Sequence, residues 1–395
     1  MRILIIDNSV LAYKCHSRIF SQDYEGETND ELHEFTGQYI HELIYLVELH
    51  QPDGILWVVD CPREDVWRHK VVRSFYGPRV NAWAKEWYPG TEDKTSANAC
   101  RYMVECHNSY TEAWIDADGS FKGKNLTKKK MQEWAAEKEI TLDTPDLKDR
   151  SVISKLLPVV APMYKGNREG RHWPKSSVLS KEQFGEVSKE LLMKVAPLFK
   201  GKVAQADALE ADDVAYAAVC KWRHHDITIV TTDMDWIQMA AVKGTDKGKG
   251  EFKFWNPNKY EFEDVSEDRV KRIMYRKLME GDSSDNIKSA KMKGKVAGIG
   301  KKKADTILDE VPIPELKAWL EENGDPATFK RNEDLILLHK MPEELKERAE
   351  NALANSRVAN VEQVALEELA SEATIHMARV AGQKERQKIR MQENT

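Results

Sequence analysis

Short apolar runs that end in aspartate recur three times along the chain. The runs ILII, GILWVV and ITIVTT lead into Asp7, into Asp60 and into the pair Asp233 and Asp235. An unbroken apolar run, rich in β-branched residues and without alternation, is typical of a strand that is buried on both faces. The pattern therefore predicts three buried strands, each followed by at least one acid.

Helical patterns separate these strands, at 31–50, 180–198 and 206–223. Strands that alternate with helices predict a parallel sheet in an α/β domain. In such a sheet, ligands bind beyond the carboxyl ends of the strands. We therefore expect the aspartates to meet at one edge of the sheet.

The rest of the chain divides into an insertion, a helical region and a tail. Residues 77–160 show no strong periodicity, which is typical of an insertion or subdomain. Two short strands are expected on either side of 256–258, with helices at 266–280 and 301–309. We predict an α/β domain at 1–240, a helical region at 241–342 and a charged helical tail at 343–395.

Composition excludes several classes of protein. The 395 residues have the ordinary balance of a folded protein rather than of a disordered or fibrous one. No apolar run reaches the ~20 residues of a membrane span, and the N-terminus does not resemble a signal peptide. Five cysteines without a CxxC pair are expected to be reduced thiols, so we expect a cytoplasmic protein without a membrane partner. The net charge of −6 would by itself count against a nucleic-acid partner.

Two further acidic motifs accompany the strand ends. In ALEADDVAYAAV, residues 208–219, the acids are expected in the first turn of a buried helix, and GDSSDN adds a pair three residues apart. The nine candidate metal ligands are Asp7, Asp60, Glu210, Asp212, Asp213, Asp233, Asp235, Asp282 and Asp285.

These motifs contain carboxylates but no histidine or cysteine, and such a donor set favours Mg²⁺, with Mn²⁺ as the substitute. A single aspartate at a strand end is more often a helix cap, and EADD alone is common on solvated helices. Four such clusters in one chain favour a metal centre instead. Nine acids suit two ions, the usual device for in-line displacement at a phosphodiester.

A first basic region surrounds Tyr164, Lys165 and Arg168 in the sequence YKGNR. Fixed cations beside a metal cluster are suited to holding a scissile phosphate, and Tyr164 is suited to stacking on a base. The competing interpretation is a solvated amphipathic helix. Arg68, in the sequence WRHK after Asp60, is a further candidate contact to nucleic acid.

A second basic region, 288–303, holds seven lysines and no acid. A Gly-x-Gly turn before a helix exposes backbone N–H groups to a phosphate, and its glycines permit a positive φ or close approach. An ordinary helix–turn–helix connection is the alternative, but it does not require the lysines. The candidate nucleic-acid contacts are Lys295, Gly298, Gly300, Lys301, Lys302 and Lys303.

The order of these motifs resembles that of the 5′-nuclease superfamily. Asp7, Asp60, YKGNR, EADD, TTDMD, GDSSDN and GIGKKKA follow one another as in flap endonucleases, the 5′-nuclease domain of bacterial DNA polymerase I and phage 5′→3′ exonucleases. The similarity covers 1–76 and 160–345, and it is greatest to the ribonucleases H of T-even phage replication. The extra segment 77–160 departs from the family, which has a short link there.

The resemblance implies a PIN-like parallel-sheet domain with a helical arch at 161–205, followed by a helix–three-turn–helix (helix–hairpin–helix) region. It implies catalytic roles for Lys165 and Arg168 at the phosphate, and K⁺ on the carbonyls of the hairpin. We expect Asp7, Asp60, Glu210 and Asp212 to hold a first ion and Asp233, Asp235, Asp282 and Asp285 to hold a second, with Asp213 serving directly or through water.

We therefore expect a monomeric Mg²⁺-dependent 5′-nuclease that acts on duplex, flap or forked DNA and on RNA–DNA hybrids during replication. By family analogy its protein partners are a single-stranded-DNA-binding protein or a polymerase clamp. A non-catalytic factor that binds branched DNA is the main alternative. A PIN-type RNase toxin fits the acids but not the GIGKKKA region.

Overall fold

The computed structural model describes residues 1–20, 31–62, 65–72, 173–174, 176–243, 250–285, 287–295 and 297–356. The insertion at 77–160, the YKGNR motif and the tail beyond 356 lie outside these residues. The chain forms two compact units. The first unit comprises Met1–Arg63, His172–Val270 and Met341–Thr395, and the second comprises Glu64–Arg171 and Lys271–Lys340.

A single six-stranded sheet forms the centre of the first unit. Its strands are β1 (Arg2–Asp7), β2 (Gly54–Val58), β3 (Lys202–Ala204), β4 (Asp226–Val230), β5 (Phe252–Asn256) and β6 (Glu261–Glu263). The strand order is β3-β2-β1-β4-β5-β6, and only the β5–β6 pair is antiparallel. The predicted α/β fold with a parallel sheet is therefore confirmed, and so are the two short strands around 256–258.

Ten helices of the described residues surround the sheet or build the second unit. They are α1 (Asn8–Ile19), α2 (Glu31–His50), α3 (Lys181–Val195), α4 (Ala211–Lys221), α5 (Met239–Lys243), α6 (Glu267–Glu280), α7 (Lys301–Glu310), α8 (Ile313–Asn323), α9 (Pro326–Ile336) and α10 (Glu343–Asn355). The predicted helix at 31–50 is confirmed to the residue. Within the predicted arch segment 161–205, the described residues form α3, a short 3₁₀ helix at Ala196–Phe199 and the strand β3.

The predicted helix at 206–223 begins later than expected. Ala208 has a left-handed φ of 67°, and α4 starts only at Ala211. A left-handed residue is incompatible with a continuous right-handed helix. Glu210 is therefore the N-cap residue of α4 rather than a member of its first turn.

The apolar faces of α1, α2 and α3 cover the sheet. Leu4, Ile6 and Trp57 pack in one buried cluster with residues such as Phe35. Ile5 is equally buried but lies outside this cluster, and α4 contacts β1 and β2. Burial of successive residues explains why the strand sequences are apolar without alternation.

The first unit extends beyond the predicted boundary at 240. The strands β5 and β6 continue its sheet as far as Glu263. The helix α10, at the start of the predicted tail, packs against α4, and Arg348 Nη1 donates to the carbonyl of Asp207 at 3.1 Å. At least the first part of the tail therefore supports the loop that leads into α4.

The described residues of the second unit are mainly helical, and a hairpin connects α6 to α7. Met279, Ala290, Ile299, Leu316 and Phe329 belong to one buried cluster. The backbone pairs Lys291 with Gly298 between α6 and α7, as expected for a helix–hairpin–helix region. Among the described residues, no helix is long and apolar enough to cross a membrane.

A close approach of the backbone to Trp57, directly before β3, generates a test of the core. A Cβ on Gly201 would lie 2.0 Å from Cζ3 of Trp57, which is fully buried. We expect Gly201→Ala to lower the free energy of unfolding by about 1–3 kcal/mol, as overpacking of a core does. Urea unfolding measures this change.

Gly185→Ala is the matched control, because nothing lies within 4 Å of its Cβ position in α3. That substitution is expected to stabilise the helix by about 0.5–1 kcal/mol. Equal unfolding free energies for the two variants would contradict the packing described here.

Candidate metal centre

Three neighbouring strands bring aspartates to one edge of the sheet. Asp7 ends β1, while Asp60 and Asp233 follow the ends of β2 and β4 by two and three residues. These strands are adjacent and parallel, in the order β2-β1-β4. In their register, Asp7 pairs with Val58 and Ile6 with Val230, so the three carboxyl ends lie level.

Asp7 is buried beneath the other strand-end acids. Its Oδ1 accepts a hydrogen bond from Val10 N at 3.2 Å, and its Oδ2 accepts one from Thr231 Oγ1 at 3.0 Å. Burial, and then the negative charge of Asp60, raise the pKa of Asp7 to about 7, and Asp233 adds to this effect. The carboxylates are therefore close enough to repel one another, which a bound cation would relieve.

Asp60 connects the strand ends to the acidic helix. Its Oδ1 accepts from Ala211 N, the first residue of α4, at 2.8 Å, and its Oδ2 accepts from Ser9 Oγ at 3.1 Å. Its backbone carbonyl accepts from Gln205 Nε2 at 2.6 Å, and Lys189 Nζ donates to Gln205 Oε1 at 2.7 Å. These bonds hold the exposed carboxylate of Asp60 beside the N-terminus of α4.

The N-terminus of α4 carries three acids in a small space. One carboxylate oxygen from each of Glu210, Asp212 and Asp213 lies within 4.8 Å of the others. Glu210 and Asp213 also form a capping box, in which each side chain accepts from the backbone N–H of the other residue. The helix dipole favours negative charge at this position. A local capping role explains this reciprocal pair but not the third acid, Asp212, beside it.

Asp233 and Asp235 lie in the turn after β4. Asp233 Oδ1 accepts from Asp235 N at 2.9 Å and caps a short 3₁₀ helix, Met234–Gln238. Thr231 connects this turn to β1, because its hydroxyl donates to Asp7 and accepts from Asp233 N at 3.1 Å. Seven of the predicted ligands therefore lie in the first unit, each with a short contact to a neighbouring acid or to the backbone beside one. They are Asp7, Asp60, Glu210, Asp212, Asp213, Asp233 and Asp235.

Sequence reasoning missed the two hydroxyl residues that position these acids. Ser9 follows Asp7 by two residues, and Thr231 precedes Asp233 by two. A hydroxyl residue two positions from a strand-end acid is visible in the sequence. Which acid the hydroxyl contacts cannot be predicted in this way, because it depends on how distant strands pair.

The donor chemistry of this cluster fits a hard divalent cation. Every contributing side chain offers carboxylate oxygen, the ligand type that Mg²⁺ and Mn²⁺ prefer. Burial and the neighbouring charge of Asp60, which raise the pKa of Asp7, are unfavourable effects that a bound cation would relieve. The first unit thus satisfies the expectation of an acidic cluster able to bind metal.

The second unit carries the remaining two predicted ligands. Lys277 Nζ lies 2.7 Å from Asp282 Oδ2, and Ser284 donates to Asp282 Oδ1 through both its N and Oγ. Burial alone would raise the pKa of Asp282, but Lys277 and Ser284 outweigh it and lower that pKa to about 2. Asp285 is buried nearby in the same turn. The assignment of this pair to a second ion stays a prediction.

The predicted contact at Arg68 needs correction. This side chain is 1% exposed, its Nε donates to the carbonyl of Leu335 at 3.0 Å, and its guanidinium lies 4.8 Å from the ring centroid of Trp67. A guanidinium enclosed in this way cannot reach a phosphate, so Arg68 is a buried structural residue of the second unit.

The glycines of the GIGKKKA hairpin differ in their roles. Gly300 is the N-cap residue of α7 with φ −81°, so a positive φ is not the reason for glycine there. A Cβ on Gly298 would lie 1.9 Å from Ser289 Oγ, so this glycine permits close approach. The lysines at 295 and 301–303 are exposed around this helix N-terminus. Tyr164, Lys165 and Arg168 lie outside the described residues.

Among solved structures, this chain is similar to two nucleases of bacteriophage T5. The flap endonuclease of bacteriophage T5, solved as a pseudo-enzyme–product complex with DNA and metal ions, has a TM-score of 0.42 and 15% identity, over 95% of this chain and 99% of that chain. The T5 5′-exonuclease with bound zinc has a TM-score of 0.41 and 17% identity, over 95% and 98%.

No family model matches the sequence, and comparison with curated proteins finds no match. TM-scores below 0.5 do not define a site, so the function has to be judged from the residues of the metal centre themselves.

Because Asp7 is buried, the thermal stability of the protein is expected to depend on pH through this residue, and this can be tested. Its pKa is raised from 3.8 to about 7, so the stability that its neutral form contributes is full at low pH and is lost as the pH rises through about 7. Asp7→Asn removes this ionisation. In the absence of metal we expect the variant to have a higher Tm than the wild-type protein at about pH 8, with a difference that shrinks toward about pH 5.

Addition of Mg²⁺ should give the wild-type protein the higher Tm of the two, because only the wild-type side chain binds the ion as a carboxylate. Asp207→Asn, an exposed acid in the neighbouring loop, serves as the control and should behave as the wild-type protein. A wild-type Tm that does not respond to Mg²⁺ at about pH 8 would count against a metal site at Asp7.

Proposed function

We propose that the protein is a metal-dependent 5′-nuclease that hydrolyses phosphodiester bonds at the 5′ ends of RNA or DNA strands in duplexes. The observation that supports this proposal most strongly is the meeting of three strand-end aspartates with the acidic N-terminus of α4. Asp60 Oδ1 bonded to Ala211 N and Asp7 bonded to Thr231 are its central contacts.

The proposed ligands of the first ion are Asp7, Asp60, Glu210 and Asp212. A carboxylate offers about four lone-pair sites, and the hydrogen bonds from Val10 and Thr231 to Asp7 occupy only some of them. The donors therefore orient each carboxylate and leave oxygen lone pairs for a cation. When bound, Mg²⁺ would supply activation of the attacking water and charge neutralisation at the phosphate.

The second unit is proposed to bind the duplex. Exposed lysines and the backbone N–H groups at the start of α7 suit the sugar–phosphate backbone, which carries no sequence information. We further propose that Asp233, Asp235, Asp282 and Asp285 serve a second ion and that K⁺ binds at the hairpin. Lys165 and Arg168 are proposed to hold the scissile phosphate, and Tyr164 to stack on a base.

The proposed substrates are flaps, forks and RNA–DNA hybrids, and the proposed role is primer removal during replication by a monomer. The direct experiment uses two 5′-labelled substrates, a DNA flap and an RNA–DNA hybrid, with Mg²⁺ and with EDTA. We expect cleavage only with metal, and the ratio of the two rates measures the RNase H component.

Asp212→Asn tests the ligand assignment. This substitution keeps the shape of the side chain but removes a negative charge from the N-terminus of α4. We expect kcat to fall by about 100- to 1,000-fold, the range for loss of one electrostatic contributor to a transition state, without loss of folding. Asp207→Asn is again the control, and an Asp212→Asn variant with wild-type turnover would overturn the assignment.

Binding of the forked substrate without cleavage in any metal would instead favour the alternative, a non-catalytic factor that binds branched DNA. The same gel that reports cleavage reports a retarded band, so one experiment separates the two functions.

Lys165→Ala tests the proposed role at the scissile phosphate. We expect kcat to fall more than the affinity for duplex DNA, because a cation at the reacting phosphate acts mainly in the transition state. Single-turnover kinetics and a binding titration in EDTA give the two quantities. A loss of affinity alone would place Lys165 on the flanking duplex.

A further inference from the structure

Arg331, on α9 of the second unit, is a charged residue in a buried position. Its side chain is buried, and only 5% of the residue is exposed. The Nη2 atom donates to the backbone carbonyls of Lys288 and Ser289, the latter at 3.2 Å. The Nε and Nη2 atoms also donate to Oδ1 of Asn332, at 2.9 and 2.7 Å. Such donation is what makes a buried guanidinium tolerable.

Asn332 extends this contact to a second helix. It is fully buried, and its Nδ2 donates to the carbonyl of Leu278 in α6 at 2.8 Å. Arg331 and Asn332 therefore connect α9, the end of α6 and the segment at 288–289. None of these bonds belongs to a regular helix or strand ladder.

The segment at 288–289 is the junction between the acidic turn and the basic hairpin. On one side, Asp282 and Ile287 exchange backbone hydrogen bonds of 3.0 and 2.7 Å, which close the GDSSDN turn. On the other side, Ala290 N donates to Met279, and the Ala290 carbonyl accepts from Ile299 N at 2.8 Å, next to Gly298. The two carbonyls held by Arg331 lie between these pairs.

An apolar side chain would fill this space at a lower electrostatic cost, since a buried charge rarely improves stability by itself. An apolar side chain would, however, leave the carbonyl of Lys288 or Ser289 without this donor, and buried carbonyls need partners. In the guanidinium, Nη2 donates to both carbonyls while Nε and Nη2 also donate to Asn332. A lysine offers only one compact ammonium for all of these acceptors.

We infer that Arg331 is a positioning residue that fixes the acidic turn and the phosphate-binding hairpin in one shared geometry. Its effect on cleavage rests on the proposed function, whereas its effect on the backbone does not. The two can therefore be measured separately.

Hydrogen exchange tests the backbone part. The amides of Asp282, Ile287, Ala290 and Ile299 are hydrogen-bonded in this junction. In Arg331→Met we expect them to exchange at least about tenfold faster, as loss of a charge-assisted bond predicts, while α7 and α8 keep their protection. Arg331→Lys is expected to be intermediate.

Lys330→Met is the matched control, because it removes a neighbouring cation from α9 whose side chain is exposed and paired with Asp334. Its exchange pattern should equal that of the wild-type protein. Uniformly faster exchange in Arg331→Met, or unchanged exchange at the junction, would overturn the inference. If Arg331→Met does not fold, Arg331→Lys decides by the same local pattern.

The cleavage part compares two quantities in the same variants. Arg331→Met should weaken duplex binding in EDTA and lower kcat, each by about tenfold, because the turn and the hairpin are disturbed together. If Arg331→Met exchanged faster at the junction but kept wild-type duplex affinity and wild-type kcat, the proposed link between the junction and cleavage would be overturned. A wild-type protein that cleaves nothing would refute the proposed function, and the exchange pattern would still decide the positioning role.

Discussion

The repulsion between carboxylates gathered at one sheet edge is the constraint on which the site depends. Burial of Asp7, and then the charges of Asp60 and Asp233, disfavour its ionised form and raise its pKa. A hydroxyl or backbone N–H is bonded to each of these strand-end acids, from Thr231 to Asp7 and from Ala211 to Asp60. These neutral donors orient the acids without cancelling their charge. The arrangement is therefore unfavourable without a cation, and its carboxylate oxygens suit a hard divalent cation.

The acids that are predicted as ligands account for the net negative charge of the chain. When the nine predicted ligands are set aside, the remaining residues carry a net positive charge although the whole chain carries −6. In the second unit, Lys277 compensates Asp282, and exposed lysines surround the N-terminus of α7. The overall acidity therefore does not by itself argue against a nucleic-acid partner.

Much of the fold could be predicted because its local patterns are strong. The apolar runs ending at Asp7 and Asp60, and the helix at 31–50, are explained by burial alone. The late start of α4 could not be predicted, because it depends on the left-handed φ of Ala208. The boundary at 240 was wrong because β5 pairs with β4 in the sheet, which is a long-range contact.

In the candidate site too, some features could be predicted from the sequence and others could not. Carboxylate positions follow from strand ends and are visible in the sequence. The burial of Arg68 and the bonds of Arg331 depend on the carbonyls of Leu335 and Lys288, and no local pattern reveals such partners. Basic residues were therefore the least predictable part of the site, because exposed and buried arginines look alike in sequence.

The most direct test of the central claim is an anomalous difference map from crystals grown with Mn²⁺, which locates the ion without reference to activity. The account predicts a strong peak bound by carboxylate oxygens from Asp7, Asp60, Glu210 and Asp212. Full Mn²⁺ saturation with no peak among these four carboxylates would contradict it.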